Sequence, residues 1–364
     1  MNREKTIIRT SIIGIIGNLL LVGVKAAIGF IGNSISVIMD AVNNLSDVLS
    51  SVITIIGTKI AGKKPDKKHP YGHGRVEYLT SLIISIIILF AGGSAIYQSI
   101  NSLISGEKSS HTNISLIIIS IAIVVKIVLG LFYRKMGKKT NSDALKGSGM
   151  DALFDALLSF GTLIGAIIAM FFDIYIEGYI GIVIGLFIIR AGVEIIRGAI
   201  SNIIGERTSN EVAIAIKKAV CSFPEVLGAY DLILNNYGPN RSIGSIHIEV
   251  RDDLTAKEIH PLSRAISAKI YEEFGTILTV GIYSSNTANS EIRKFVYELV
   301  RGYKEVKEIH GFYVDLELKL INFDLIIGYE FDNSKEIIEE IKNKIIAQYN
   351  DYQVYIVQDF DFSD

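Results

Sequence analysis

The chain of 364 residues has a single cysteine, Cys221, so it can build neither a disulfide framework nor a multi-thiolate metal centre of its own. Any metal it holds is held by oxygen and imidazole. Charged residues are scarce at 20%, while apolar ones reach 49% and the mean hydropathy is +0.40, more apolar than a soluble domain. No glycine-rich phosphate loop and no basic recognition helix is present, and a net charge of -2 argues against a nucleic-acid partner. Basic residues are also nearly missing from two connections between apolar runs: SGEKSSHTN holds Lys108 alone, and FDIYIEG holds none.

The apolar residues concentrate in the first 200 positions, in runs near 7–31, 34–60, 78–103, 114–133, 150–172 and 178–200. Each is long enough for a hydrocarbon core of roughly 30 Å, which takes about 20 helical residues. The first run outlasts the apolar stretch of a cleaved signal and ends at no small-residue cleavage site. Six membrane spans are expected. Lys59, Lys63, Lys64, Lys67, Lys68 and Arg75 follow the second span; Arg134, Lys135, Lys138, Lys139 and Lys146 follow the fourth. Basic links face the cytosol, so both termini are expected there, in a multi-pass protein of the cell membrane.

From about residue 208 the texture becomes that of a soluble α+β domain. One segment reads helix 209–222, strands 229–235 and 243–250, helix 255–274, strand 277–284; the next reads helix 289–303, strands 312–319 and 323–331, helix 334–349, strand 352–359. PEVLGAYDL at 224 and KEIHGFYVDL at 307 share a Glu, a Gly and a Tyr, so the second segment reads as a repeat of the first. The expected organisation is a transmembrane domain 1–208, an α+β module 209–286 and a second α+β module 287–364.

The second run carries Asp40, Asn43, Asn44 and Asp47, which a helix places on one face. An Asp at the centre of a membrane helix costs about 2.5–3.5 kcal/mol, so it asks for a function. The fifth run repeats the anomaly with Asp151 and Asp155. Asn43 with Asp47, and Asp151 with Asp155, are i,i+4 pairs; facing each other they make a four-oxygen cluster. Two structural readings stand beside this. Ser148 and Asp151 fit a helix-capping pattern, and Asn43 and Asn44 fit interhelical hydrogen bonding. Asp40 and Asn44 suit supporting or packing roles.

SISVIMDAVNNLSD in the second run, HPYGHGRVEYL in the following loop, and the D-x-x-x-D pair of the fifth run ahead of an α+β tail together resemble the cation diffusion facilitator family of divalent-metal/proton antiporters, over residues 1 to about 285. The resemblance implies six transmembrane helices, a ferredoxin- or metallochaperone-like cytoplasmic domain, and a homodimer that exports a divalent metal from the cytosol. It places the transport site on Asn43, Asp47, Asp151 and Asp155. Zinc-carrying members have a His in that quartet. Here all four donors are oxygen, a set that suits Mn2+ and resembles the manganese-exporting branch, with Zn2+, Fe2+ or Cd2+ export as the alternative. Three mutually repelling carboxylates keep a proton when the metal is absent, and metal binding expels it, which couples metal outward to protons inward around a site near the midplane.

No prosthetic group and no catalytic residue is expected. Asp66, His69 and His73 match positions where relatives bind a second zinc, although Pro70, Gly72 and Gly74 forbid a helical His pair there. His247 matches one position of the family's cytoplasmic zinc cluster, but Tyr230, Ile282 and Ser284 stand where its partners would, and a lone strand His is surface more often than ligand. His260 and His310 are isolated. Arg75 and Glu206 resemble a charged interlock at the dimer neck. The rival from another class is a membrane-bound metal sensor, for which no signalling motif speaks.

Overall fold

The computed structural model describes residues 3–31, 35–105, 113–172, 174–239, 241–286, 290–328 and 330–359; the side chains of 29, 31, 35–40, 42, 43, 113–115 and 290 fall outside that description. Two compact units result, residues 1–206 with 237–239, and residues 207–236 with 240–364.

The first unit is helical: α1 (Arg3–Ile31), α2 (Ile35–Ala61), α3 (Val76–Ser105), α4 (Asn113–Thr140), α5 (Asp143–Phe172) and α6 (Glu177–Ile204). Five of these are long and apolar enough to cross a membrane, and α2 is not among them. The six expected spans are therefore met by five on this measure. The reason lies in α2 itself, where Asn44 and Asp47 with Ser46, Ser50 and Ser51 dilute the apolar residues. Outward-facing Leu20, Phe90, Val128 and Phe187 are well exposed, as lipid-facing side chains are.

The helices pack chiefly as three pairs, α1 with α2, α3 with α6, and α4 with α5. The α4–α5 contact is closest where two glycines meet. A Cβ on Gly149 would lie 2.9 Å from the backbone nitrogen of Arg134 and 3.0 Å from the carbonyl oxygen of Gly130. Without a hydrophobic drive between helices in lipid, such close backbone approach supplies the packing. At one end Arg3 ties three helices together: its Nε donates to the Thr140 carbonyl at 2.6 Å and its guanidinium to the buried Glu77 carboxylate at 2.6 Å.

The second unit contains two modules with the same element order. α7 (Asn210–Val220), β1 (Gly228–Asn236), β2 (Ser242–Arg251), α8 (Ala256–Phe274) and β3 (Thr276–Ser285) form the first; α9 (Ser290–Arg301), β4 (Val306–Asp315), β5 (Leu320–Ile327), α10 (Ser334–Gln348) and β6 (Gln353–Asp359) form the second. The sheets run β1-β2-β3 and β4-β5-β6, each with an antiparallel hairpin followed by a parallel pair. Each has its own core, around Ile216, Leu232, Ile246 and Ile266 in one and Val296, Phe323, Ile341 and Ile345 in the other. α8 starts where the Glu258 carboxylate accepts the Thr255 N–H at 2.8 Å, and ends on Gly275 in the left-handed region.

The second hairpin departs from the expected strands 312–319 and 323–331. Its turn falls four residues earlier, because Asp315 Oδ1 accepts the N–H groups of Glu317 and Leu318, both at 2.9 Å, and Lys319 takes φ +52° to close it. An Asp that bonds the backbone two residues on is a turn former, and it outranks the apolar alternation that had extended the strand.

Candidate metal centre

Asp151 lies two turns inside α5, which begins at Asp143, so the capping reading of Ser148 and Asp151 fails. Asp151 is buried, and so is Ser148, whose Oγ has no hydrogen-bond partner among the described residues. Asp155, one turn further on, faces Asp47 of α2. Between them stands a group the sequence reading passed over. Lys126 of α4, its side chain only 4% exposed, donates from Nζ to Asp47 Oδ2 and, at 2.7 Å, to Asp155 Oδ2. The glycine contact explains its position, since Lys126 is one helical turn before Gly130 and shares its face of α4. Asp151 completes the electrostatic cluster with Asp47, Asp155 and Lys126.

The signal for Lys126 was in the sequence: a lysine within IIISIAIVVKIVLGLFY carries the same insertion cost as an aspartate there. Of the remaining expected residues in α2, the side chains of Asp40 and Asn43 lie outside the described residues. Asn44 and Ser50 are buried, and neither Asn44 Nδ2 nor Ser50 Oγ has a hydrogen-bond partner among the described residues. Ser51 and Tyr133 share a hydrogen bond of 2.8 Å close by.

In the loop after α2 the structure brings Asp66, His69 and His73 together without a helix. One ligand atom from each lies within 4.8 Å of the others. Asp66 Oδ1 accepts the His69 N–H at 2.7 Å and the Lys68 N–H at 2.9 Å, a closed turn that holds its carboxyl below the usual carboxylate range. The rings of His69 and His73 are 4.4 Å apart. The proline and glycines that exclude a helical His pair leave room for a turn that brings the two rings together. Arg75 lies instead over the Tyr237 ring at 4.3 Å, and Glu206 is exposed; among the described residues no ion pair joins them.

The α+β unit departs from two expectations. His247 is not a lone surface residue, because its Nδ1 sits 2.9 Å from Asp231 Oδ2. Nor is His310 isolated. Its side chain is wholly buried, with Nε2 at 2.8 Å from Asp231 Oδ1, 3.5 Å from Asp359 Oδ2 and 4.0 Å from Asp324 Oδ2. Burial pushes the Asp231 carboxyl up, but the neighbouring side chains of His247, His310, Asp359 and Tyr283 hold it well below the usual range. Burial also disfavours the His310 imidazolium; Asp231, Glu308 and Asp324 outweigh it and raise that ring above an ordinary histidine. His260 is exposed on α8.

Residues 11–204 match the family described as the cation efflux transmembrane domain, and residues 208–282 match the cation efflux protein cytoplasmic domain, which supports a homodimer. An uncharacterized transporter of Methanocaldococcus jannaschii is 32% identical over 259 residues, 71% of this chain and 91% of that protein. The manganese efflux system protein MneS of Bacillus subtilis is 27% identical over 263 residues, 72% of this chain and 90% of its own. The cation-efflux pump FieF of Citrobacter koseri is 25% identical over 258 residues, 70% and 85% of the two chains. With a helical membrane unit, an α+β unit behind it and a buried cluster of intramembrane carboxylates, the chain belongs to the cation efflux, or cation diffusion facilitator, family of divalent-metal transporters, is a multi-pass membrane protein and not an enzyme, and resembles the manganese-exporting branch.

Proposed function

We propose that the protein exports Mn2+ from the cytosol in exchange for protons, by alternating access around a site formed by Asn43 and Asp47 of α2 and Asp151 and Asp155 of α5. The observation that carries this reading is the convergence of Asp47 and Asp155, from two helices, on one buried ammonium group. A position that already holds one cation between carboxylates suits another. Charge counting supports the exchange. Asp47, Asp151 and Asp155 bring three negative charges against one on Lys126, a deficit of two that one divalent ion or two protons restores to neutrality. Low-dielectric surroundings penalise any other count. An Asn and three Asp make a hard donor set, which favours Mn2+ over Zn2+, Fe2+ and Cd2+.

The same reading takes α2 as the sixth span, with both termini cytosolic and residues 1–208 as the membrane domain. It takes 209–286 and 287–364 as duplicated modules, the latter extending past the family match at 282. Asp66, His69 and His73 are a second, cytosolic metal position in it. The test is counterflow in proteoliposomes containing only this protein, with Mn2+ uptake and proton release read by separate dyes. Asp47→Ala, Asp151→Ala and Asp155→Ala are each expected to abolish both signals in folded protein. Wild-type rates in two of the three refute the site. Binding without counterflow in the unaltered protein would make it a sensor.

A further inference from the structure

The carboxylates around His310 come from elements far apart in the chain: Asp231 from β1, Asp324 from β5 and Asp359 from the end of β6. Two irregularities in the ladders bring them to one seam. β1 is bulged between Tyr230 and Ile233, with Asp231 itself at φ +52°, and β4 is bulged between His310 and Tyr313, with Gly311 at φ +61°. Bulges re-aim side chains, and a non-glycine residue in the left-handed region is uncommon enough to ask for a cause.

The seam is rich in negative charge and poor in donors. Among the described residues no lysine or arginine pairs with Asp231 or Asp324. Tyr283 Oη lies 2.6 Å from Asp231 Oδ2 and 2.7 Å from Asp324 Oδ2, but one hydroxyl proton serves only one of them. Among the described residues His310 has neither ring nitrogen in a directed hydrogen bond, and Asp231 Oδ1 has none either, although 2.8 Å separates that oxygen from Nε2. A fully buried imidazole whose nitrogen faces carboxylate oxygens without bonding them is arranged as a ligand rather than as a donor.

We propose that this seam is a divalent-metal site, with His310 Nε2 and one oxygen each from Asp231, Asp324 and Asp359 as ligands. Donors about 2.1 Å from a tetrahedral centre lie roughly 3.4 Å apart, and the observed separations from Nε2 of 2.8, 3.5 and 4.0 Å bracket that spacing. His247 on the second Asp231 oxygen orients that carboxylate from outside, the usual office of a group behind a ligand. Gly281 leaves the room for it, since a Cβ there would lie 2.1 Å from the His247 ring. Side-chain exposures of 18% at Asp324 and 22% at Asp359 give a way in from solvent. One nitrogen and three oxygens suit a borderline first-row ion, so Zn2+ and Co2+ are the probes. Three of the four ligands lie beyond residue 282, outside the stretch shared with the family's cytoplasmic domain.

The experiment uses the full chain in detergent. Zn2+ bound per chain is measured by equilibrium dialysis, and Co2+ is followed by its visible absorption, for the unaltered protein, His310→Gln and Asp324→Asn. Each variant is expected to lose about one Zn2+ per chain, or to bind it at least tenfold more weakly, and to lose the Co2+ band of that site. Asp155→Ala keeps the band, which separates this site from the transport cluster. Should His310→Gln fail to fold, the partly exposed Asp324→Asn and Asp359→Asn decide. Unchanged Zn2+ stoichiometry and an unchanged Co2+ spectrum in the folded variants overturn the proposal.

Discussion

Replacing Lys126 with Met keeps an unbranched side chain one atom shorter and removes its charge, so it tests whether the ammonium competes with the transported ion. Lys126 makes two charge-assisted hydrogen bonds, to Asp47 and Asp155. Hydrogen bonds to charged groups are worth about 1.5–3 kcal/mol each, so an ion that displaces the ammonium forfeits roughly 3–6 kcal/mol. Protons on the freed carboxylates take back part of the difference. The net expectation is Mn2+ affinity tighter by at least tenfold, which is about 1.4 kcal/mol, and slower turnover because the ion leaves a deeper well. Titration of Mn2+ into detergent-solubilised protein, beside initial rates in proteoliposomes, reads both quantities. Lys126→Arg, which keeps the charge, is expected to stay near the parent affinity. Affinity that is unchanged or weaker in Lys126→Met refutes the competition.

Asn43→His adds an imidazole at the one neutral position of the quartet, so the ratio of Zn2+ to Mn2+ initial rates is expected to rise by about tenfold; an unchanged ratio removes Asn43 from the ion. Gly149→Val forces α4 and α5 apart against backbone atoms at 2.9 and 3.0 Å and is expected to cost about 1–3 kcal/mol in stability and most of the transport, whereas Gly23→Ala, with nothing within 4 Å, leaves the melting temperature unchanged. The Glu258 carboxyl is held below the ordinary glutamate range by the Thr255 N–H, so its stabilisation is present above that range and fades as pH falls through the lowered value. Amide exchange in the first turn of α8 is expected to be faster in Glu258→Ala than in the parent at pH 7, with the gap closing in acid.

Much of the helical unit was legible because membrane spans announce themselves by length and composition, and because an i,i+4 rule places Asp151 and Asp155 on one face. Lys126 was missed for a different reason: the insertion cost weighed for the aspartates inside the spans was not weighed for this lysine. The seam around His310 is illegible locally. Its carboxylates meet it only after three strands have paired and two bulges have turned them, and the one mark beside His310 in the chain, Gly311, speaks of a bulge but names none of the carboxylates. The β4–β5 turn was missed where a polar signal, Asp315, sat inside an apolar alternation that looked unbroken.

The pairing of the membrane helices has a geometric consequence for the carboxylate cluster. Asp155 and Lys126 belong to one pair, α4 with α5, while Asp47 belongs to another, α1 with α2. A slip plane, along which packed helices would slide while each pair keeps its own interdigitation, would follow the boundary between pairs. That plane passes through the site. Sliding would leave the Lys126–Asp155 bond inside its pair and load the displacement onto the contacts that cross between pairs, Lys126–Asp47, Ser51–Tyr133 and Arg3–Thr140. In the proposed exchange the lysine, carried on α4 and held by Asp155 of α5, would be the latch that catches on α2, and an ion between the two aspartates would lift it.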